Sequence, residues 1–158
     1  MNKMKSIIIM SILLISIFIV LSPVSAATYH VYPGNDIKAI IEGATSGDTV
    51  YIHAGIYYPT GTIVVSGNPS IIGDSPFNTI IDFNTAGQGI DASSQDGVTI
   101  KNITVTNSTG AGIEVDEEST VENCIVHGCT GPGFICDEDC TLRTVLHMTL
   151  GMMVLIVT

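Results

Sequence analysis

Short apolar runs alternate with turn residues along most of the chain, and in its second half they recur at a fixed distance. Residues 102–116 superpose on residues 123–137 without a gap, at an offset of 21 residues. Asn, Thr, Gly, Gly and Asp recur at matching positions, and Ile100, Val121 and Leu142 follow the same offset. Equal units of this length, each with short alternating strands, predict a β-solenoid.

Within each unit, alternating apolar positions predict three short strands whose alternate side chains point inward. Asn102 above Asn123 predicts an amide ladder that hydrogen-bonds from rung to rung, and two solvated turn residues are the alternative. Gly112 above Gly133 predicts a bend with positive φ, which glycine tolerates best. The inward pairs are Val98 with Ile100, Ile103 with Val105, and Ile113 with Val115.

The part of the chain before these units predicts one helix and several short strands. Asn35 or Asp36 can cap a helix that runs through Ala44, with apolar residues on one face. Such a helix would cover the apolar end of the first rung. Short apolar runs bounded by Gly, Pro, Asn or Asp predict strands. The predicted strands cover residues 29–32, 49–53, 62–65, 70–73 and 79–82.

From about residue 30 to residue 144, the chain resembles the right-handed parallel β-helix family, which has the pectin-lyase-like fold, and in particular its NosD-type exported members. The resemblance implies an all-β protein: a right-handed parallel β-helix solenoid with a short N-terminal capping helix, which the tail residues described below predict to be truncated at the C-terminus. Proteins of this fold include lyases, hydrolases, epimerases, adhesins and non-catalytic surface proteins, so the fold alone defines no activity. The resemblance is carried by residues 37–44, 46–52, 54–57 and 71–73 and by the rungs after Gly89.

The N-terminus has a different composition from the predicted solenoid. Residues 1–26 combine a basic start, an apolar core and small residues at positions 24–26. This pattern predicts a secretory signal peptide, and an uncleaved membrane anchor is the alternative. The predicted β-helix domain then covers residues 27–144.

The C-terminal residues 145–158 are apolar and contain no Asn or Asp. If one nucleotide is restored at the codon of Thr144, that codon reads Asn, and a Gly follows ten residues later. The same spacing of ten separates Asn102 from Gly112 and Asn123 from Gly133. We therefore predict that this non-repeat tail is frameshifted and that the natural protein continues as further rungs. A terminal strand that closes the stack is the alternative.

The charge of the chain limits its partners. Beyond residue 26, three basic residues against fifteen acidic ones give a formal charge of −12. Nucleic acids and anionic membranes are therefore not expected partners, because phosphate binding relies on Lys and Arg. An acidic polysaccharide is expected only where a metal ion bridges it. No stable membrane span is expected after signal cleavage, so the predicted location is secreted or cell-surface.

An acidic corner is the first candidate site. Six carboxylates on successive rungs repel one another unless a cation bridges them, and calcium prefers several oxygen ligands. A solvated acidic turn is the alternative. The acidic corner comprises Asp116, Glu117, Glu118, Asp137, Glu138 and Asp139.

Asp91 and Glu114 form the second candidate site, on the outward face of one strand column. Two carboxylates one rung apart have about the ~5 Å spacing of a retaining glycosidase. The family resemblance permits a hydrolase with clustered Asp residues on such a face, although the next rung places Ile135 in that column. For a family lyase, the basic residues in the repeats are Lys101 and Arg143, and neither lies in a recognisable lyase motif.

Cysteine and histidine residues give the third candidate, a soft-metal site. Cys124, His127 and Cys129 match no standard zinc spacing. Cys124 replaces the inward Ile103, so buried thiols or disulfides among the four cysteines, which include Cys136 and Cys140, are the favoured interpretation. His30, His53 and His127 are isolated along the sequence, so they predict no catalytic arrangement.

Two functions follow from these patterns. The first is an exported non-catalytic protein with a surface binding or structural role, whose candidate ligand is a polysaccharide or cell-envelope glycan. The alternative is a polysaccharide-active enzyme, a lyase or glycoside hydrolase of the pectin-lyase-like fold.

Overall fold

The computed structural model describes residues 25–149 and 152–156. In these ranges the chain forms sixteen short strands and one helix. In chain order they are β1 (Thr28–Val31), α1 (Ile37–Gly43), β2 (Thr49–Ile52), β3 (Gly55–Tyr57), β4 (Ile63–Val64), β5 (Ser70–Gly73), β6 (Thr79–Asp82), β7 (Ile90–Ala92), β8 (Thr99–Lys101), β9 (Thr104–Thr106), β10 (Ile113–Val115), β11 (Thr120–Glu122), β12 (Ile125–His127), β13 (Phe134–Cys136), β14 (Thr141–Arg143), β15 (Val145–Thr149) and β16 (Met152–Ile156).

Three sheets enclose one core, and consecutive strands of the chain fall in different sheets. Sheet 1 has the order β1-β2-β5-β8-β11-β14, sheet 2 has β4-β7-β10-β13, and sheet 3 has β3-β6-β9-β12-β15-β16. Neighbouring strands are parallel, with the exception of the antiparallel pair β15 and β16. The chain therefore coils as a parallel β-helix, which confirms the predicted fold class.

The 21-residue offset read from the sequence is the pairing register of the later rungs. Val121 pairs with Ile100 on one side and with Leu142 on the other. The inward residues predicted for the three strands, Val98, Ile100, Ile103, Val105, Ile113 and Val115, all lie in the hydrophobic core. Burial of these apolar side chains in continuous columns stabilises the stack at about 25 cal/mol per Å² of apolar surface.

The predicted amide ladder is present at the turn between sheets 1 and 3. The Nδ2 of Asn123 donates a hydrogen bond to the Oδ1 of Asn102 at 2.8 Å. Both residues adopt left-handed backbone, with φ of 59° and 52°, and asparagine tolerates this region better than most residues. The amide side chain thus serves both the turn and the contact between rungs.

The positive φ predicted for Gly112 and Gly133 is wrong. Neither glycine has a positive φ, and each is required instead because a neighbouring side chain approaches its Cα. A Cβ on Gly112 would lie 2.3 Å from Cγ1 of Val126, and one on Gly133 would lie 2.3 Å from the ring of His147. These glycines therefore allow close packing between sheets 2 and 3.

Asn123→Ala is expected to lower the free energy of unfolding by about 2 kcal/mol, because it removes the ladder bond and places a Cβ-bearing residue without a polar side chain in left-handed backbone. Asn123→Gly removes the same bond without the backbone cost, so it is expected to lose about half as much. Urea denaturation followed by circular dichroism measures both. Equal losses in the two variants would show that the backbone conformation carries no cost here.

The N-terminal helix has the predicted cap and apolar face. The Asp36 carboxylate accepts a hydrogen bond from the backbone N–H of Ala39 at 3.1 Å, and α1 buries Ile37 and Ile41. The helix contacts β1 and β4, so it lies at the first rung as predicted. No helix in the described ranges has the length and apolar character needed to cross a membrane.

Beyond residue 144 the stack continues through β15, which pairs with β12 in parallel register. Two residues there fit their positions poorly. Thr144 has φ of 47° where the earlier rungs have Asn, and β-branched residues are strained in that region. His147 pairs with Val126 in an inward column. Whether the tail is frameshifted stays a prediction; residues 150, 151, 157 and 158 of the tail lie outside the described residues.

Candidate functional site

The acidic corner forms two stacked, largely exposed turns that follow β10 and β13. Within each turn the first carboxylate accepts a local backbone hydrogen bond: Asp116 from Glu117 at 3.0 Å, and Asp137 from Glu138 at 2.9 Å. No group of three or more His, Cys, Asp or Glu side chains in the described ranges is arranged to hold a metal ion. Calcium binding at these turns stays a prediction.

Asp91 and Glu114 are direct neighbours on β7 and β10, as the repeat predicts. The Asp91 carboxylate already accepts hydrogen bonds from the Ser93 hydroxyl at 2.7 Å and the Ser93 N–H at 3.1 Å. Val64 and Ile135 pair with them above and below and are exposed. The two carboxylates therefore lie between apolar side chains, and their catalytic role stays untested.

Lys101 and Arg143 lie on the outer face of sheet 1 and flank Glu122. The Lys101 Nζ lies 2.7 Å from the Glu122 Oε2, and this hydrogen bond and charge hold the pKa of Glu122 below its usual value. Glu122 and Arg143 are register partners on β11 and β14. An open cleft of about 420 Å³ lies beside the Lys101–Glu122 pair and the amide ladder, and its lining residues are Lys101, Asn102, Glu122, Asn123 and Thr144.

The cysteines do not form a soft-metal site. Cys124 is fully buried in the column of Ile103, and burial raises the pKa of its thiol to about 12. Cys136 and Cys140 form a disulfide, while Cys129 is a buried free thiol. A protonated buried thiol is a poor metal ligand, so the favoured interpretation of buried or disulfide-bonded cysteines is confirmed.

A cluster of four rings and one carboxylate, which the sequence patterns did not predict, lies at the start of sheet 1. It comprises His30, Tyr32, Tyr51, His53 and Asp74, and we call it the histidine–tyrosine cluster. His30 pairs in register with Tyr51, while Tyr32, His53 and Asp74 follow the last residues of β1, β2 and β5. Three successive rungs therefore bring these five side chains to one corner.

The rings of this cluster pack against one another. Tyr32 stacks on His53 with ring centroids 4.2 Å apart and an interplanar angle of 8°. Tyr51 meets His53 edge-on at 5.1 Å, and His30 stacks on it at 5.3 Å. His53 is thus held by three rings, while Tyr32 and His30 remain exposed to solvent. Such contacts contribute about 0.5–1.5 kcal/mol per aromatic pair.

Hydrogen bonds fix the polar groups of the cluster. The Tyr51 hydroxyl donates to the Asp74 Oδ1 at 2.7 Å, and the Ala54 N–H donates to Oδ2 at 2.7 Å. These two bonds, with the nearby His53 ring, hold the pKa of Asp74 below its usual value. The same contact with Asp74 raises the pKa of Tyr51. The Asp74 Oδ2 lies 3.8 Å from the His53 Nδ1.

His30 and His53, which are isolated along the sequence, are neighbours in the structure. The Nδ1 of His30 lies 3.1 Å from the Nε2 of His53, although 23 residues separate them in sequence. The signal was available, because the 21-residue offset of the later rungs also relates Tyr32 to His53 and His53 to Asp74. These three residues differ in type, so a search for identical residues passes over them. His127 instead lies next to the Thr106 hydroxyl, at 3.1 Å.

One comparison with known proteins supports this architecture. A family model for the right-handed β-helix region matches residues 39–148, which include most of the described rungs. A search of curated proteins and a search of solved structures each gave no match.

Proposed function

Because the chain belongs to the right-handed β-helix family, we propose that it is an exported, non-catalytic binding protein that presents the histidine–tyrosine cluster to a glycan. The observation that carries this proposal is the exposed ring of Tyr32, held flat against His53 at 4.2 Å. Sugar rings have one face rich in C–H groups, and these pack on the negative face of an aromatic ring. A ring already held in place loses little conformational freedom on binding.

Asp74 supplies the polar half of such a site. Each of its carboxylate oxygens accepts one hydrogen bond within the protein, from Tyr51 or from Ala54. A carboxylate oxygen has two acceptor positions, so each retains one for a sugar hydroxyl. With an overall charge of −12 beyond residue 26, the chain favours an uncharged glycan over an acidic one.

The proposed export is supported by chemistry at the two ends of the chain. A disulfide between Cys136 and Cys140 is typical of proteins in oxidising compartments. The predicted signal peptide at residues 1–26 lies almost entirely outside the described residues, so it contributes only its sequence pattern. Both features favour a secreted or cell-surface location, as do the exported NosD-type proteins that the chain resembles.

Tyr32→Ala is expected to weaken glycan binding at least tenfold, because it removes the stacking face and leaves the fold intact. The measurement is depletion of the protein from solution by a panel of insoluble neutral polysaccharides. Tyr58→Ala is the matched control, since Tyr58 is 65% exposed but lies outside the cluster. The proposal fails if the unaltered protein binds no glycan of the panel, or if both variants bind equally.

The second candidate function is a polysaccharide-active enzyme, and the pairing of Asp91 with Glu114 favours it. The same incubations distinguish the two functions when the supernatants are assayed for new reducing ends and for unsaturated products. A binding protein leaves the polysaccharide intact. Products that form with the unaltered protein and are lost with Glu114→Gln would establish the enzyme instead.

A further inference from the structure

The two facing histidines of the cluster bring two imidazole nitrogens to the separation of a metal chelate, and we propose that His30 and His53 bind a divalent transition-metal ion, with Zn²⁺ as the probe, when the exposed His30 ring turns its nitrogen toward the ion. Their facing nitrogens, Nδ1 of His30 and Nε2 of His53, are 3.1 Å apart. With zinc–nitrogen bonds of ~2.05 Å, this separation corresponds to an angle of about 100° at the metal. That angle falls between the octahedral and the tetrahedral value.

The surroundings of His53 favour the tautomer that a metal requires. Its other nitrogen, Nδ1, faces the Asp74 carboxylate at 3.8 Å, which favours a proton on Nδ1. The lone pair of Nε2 then accepts a hydrogen bond from Nδ1 of His30, and a metal ion takes the place of that proton when His30 carries its proton on Nε2 instead. Histidine ligands typically place a carboxylate behind the non-ligating nitrogen in this way, because it orients the ring and increases its basicity.

The orientation of the carboxylate is itself fixed. Tyr51 and the Ala54 N–H hold the two oxygens of Asp74, each at 2.7 Å, and Tyr32 stacks on the His53 ring. One ligand is therefore preorganised, while His30, on the exposed strand β1, is free to adjust its ring. Preorganisation of this kind lowers the conformational cost of binding.

Imidazole nitrogens determine which ions the site accepts. They suit zinc, copper and nickel, whereas calcium and magnesium prefer oxygen ligands. A third protein ligand is not present, since no group of three metal-binding side chains occurs in the described ranges. Water would complete the coordination, so the bound ion is exchangeable and open to a further ligand. A proton shared between the two nitrogens competes with the metal, so affinity falls at acidic pH.

This inference goes beyond glycan binding: Asp74 and the Tyr32–His53 contact serve both sites, but the groups that would touch the two ligands differ. The glycan site depends on the Tyr32 ring, and the metal site depends on the nitrogens of His30 and His53. Loss of one activity without the other is therefore measurable. Glycan binding by His30→Gln and metal binding by Tyr32→Ala separate a failure of this proposal from a failure of the proposed function.

The test is calorimetric titration of the tag-free protein with ZnCl₂ and, separately, with CaCl₂. The expected result is saturable binding of one Zn²⁺ that weakens at least tenfold in both His30→Gln and His53→Gln. His127→Gln is the matched control, because its ring lies next to Thr106 and not next to a second histidine, and it is expected to bind like the unaltered protein. Asp74→Asn tests the positioning role, with an expected loss of about tenfold.

The metal-free melting temperature of each variant shows whether it is folded, and a variant that unfolds is replaced by its Asn counterpart. The proposal is overturned if the unaltered protein binds no Zn²⁺. It is also overturned if His30→Gln and His127→Gln bind equally, because the ion would then lie elsewhere, for example at the acidic corner. If titration with CaCl₂ releases heat that is unchanged in the histidine variants, that heat arises from calcium binding to those carboxylates. The proposal is then decided by the titrations with ZnCl₂.

Discussion

Gly89→Ala is expected to lower the free energy of unfolding by roughly 3 kcal/mol or more, enough to prevent folding of a marginally stable domain. Gly89 directly precedes β7 of sheet 2 and is buried against the next rung. A Cβ on it would lie 1.8 Å from the carbonyl oxygen of Gly112 and 2.7 Å from that of Ala111. Both obstacles are backbone atoms, and they cannot rotate away as a side chain can. The rungs would have to separate, which breaks the hydrogen bond from Gly89 to Ala111.

The measurement is urea denaturation followed by far-ultraviolet circular dichroism. Gly43→Ala is the matched control, because a Cβ there meets no atom within 4 Å. Gly43 is the last residue of the helix, where alanine is favoured over glycine by up to about 1 kcal/mol. The urea midpoint of Gly43→Ala should therefore equal or exceed that of the unaltered protein. A midpoint for Gly89→Ala that matches the unaltered protein would contradict the close approach of these rungs.

The sequence predicted the later rungs well because they have equal length. An unbroken 21-residue offset aligned Ile100, Val121 and Leu142, and the same three residues are register partners in sheet 1. In a parallel solenoid, equal rungs place equivalent residues in one column. Sequence self-similarity is therefore sufficient to predict contacts as well as strands in this part of the chain.

The earlier rungs were harder to predict because their loops differ in length. Ser70 pairs with Thr99, 29 residues later, whereas Thr49 pairs with Ser70 after 21. Sheet 3 shows the same irregularity, since Gly55 pairs with Thr79 after 24. A single offset does not find these partners. The sequence therefore predicted β1, β2, β4, β5 and β6, but not β3 or the pairing between these rungs.

The candidate sites, like the strand pairing, could be predicted only where successive rungs repeat. Asp91 and Glu114 were found because both lie on neighbouring rungs of the repeat, and their pairing is confirmed. His30 and His53 were missed because 23 residues separate them, so they are not register partners: the register partner of His30 is Tyr51. A ladder of identical residues is visible in a sequence, while a site built from different residues on adjacent rungs appears only when the rung length is applied to every position.

The prediction of a positive φ at Gly112 and Gly133 failed because the sequence pattern does not distinguish two causes of a repeated glycine. A glycine repeated at one rung position indicates either a positive φ or the close approach of a neighbouring atom to its Cα. Both causes select glycine, so the sequence looks the same in the two cases. Left-handed backbone is instead adopted at the neighbouring turn by Asn102 and Asn123, whose side chains also bond between rungs. Distinguishing the two requires the distance across the core, which only the packed structure supplies.

His147→Val is expected to raise the free energy of unfolding by about 1–3 kcal/mol, because it removes an unpaired polar atom from the interior. His147 pairs with Val126, which pairs with Val105, and both valines are fully buried. The His147 Nε2 is buried and has no hydrogen-bond partner in the described ranges. Valine also suits a strand position that packs inward.

The control for residue 147 is His127→Val on the preceding rung. His127 has a polar partner in the Thr106 hydroxyl at 3.1 Å, so its replacement is expected to lower stability or leave it unchanged. Urea denaturation of both variants at pH 7 measures the difference. A gain at residue 147 alone shows that the cost arises from the unpaired nitrogen in the inward column. Equal shifts in the two variants, or a loss at residue 147, would show that this histidine is not buried against the core as the register of β15 places it.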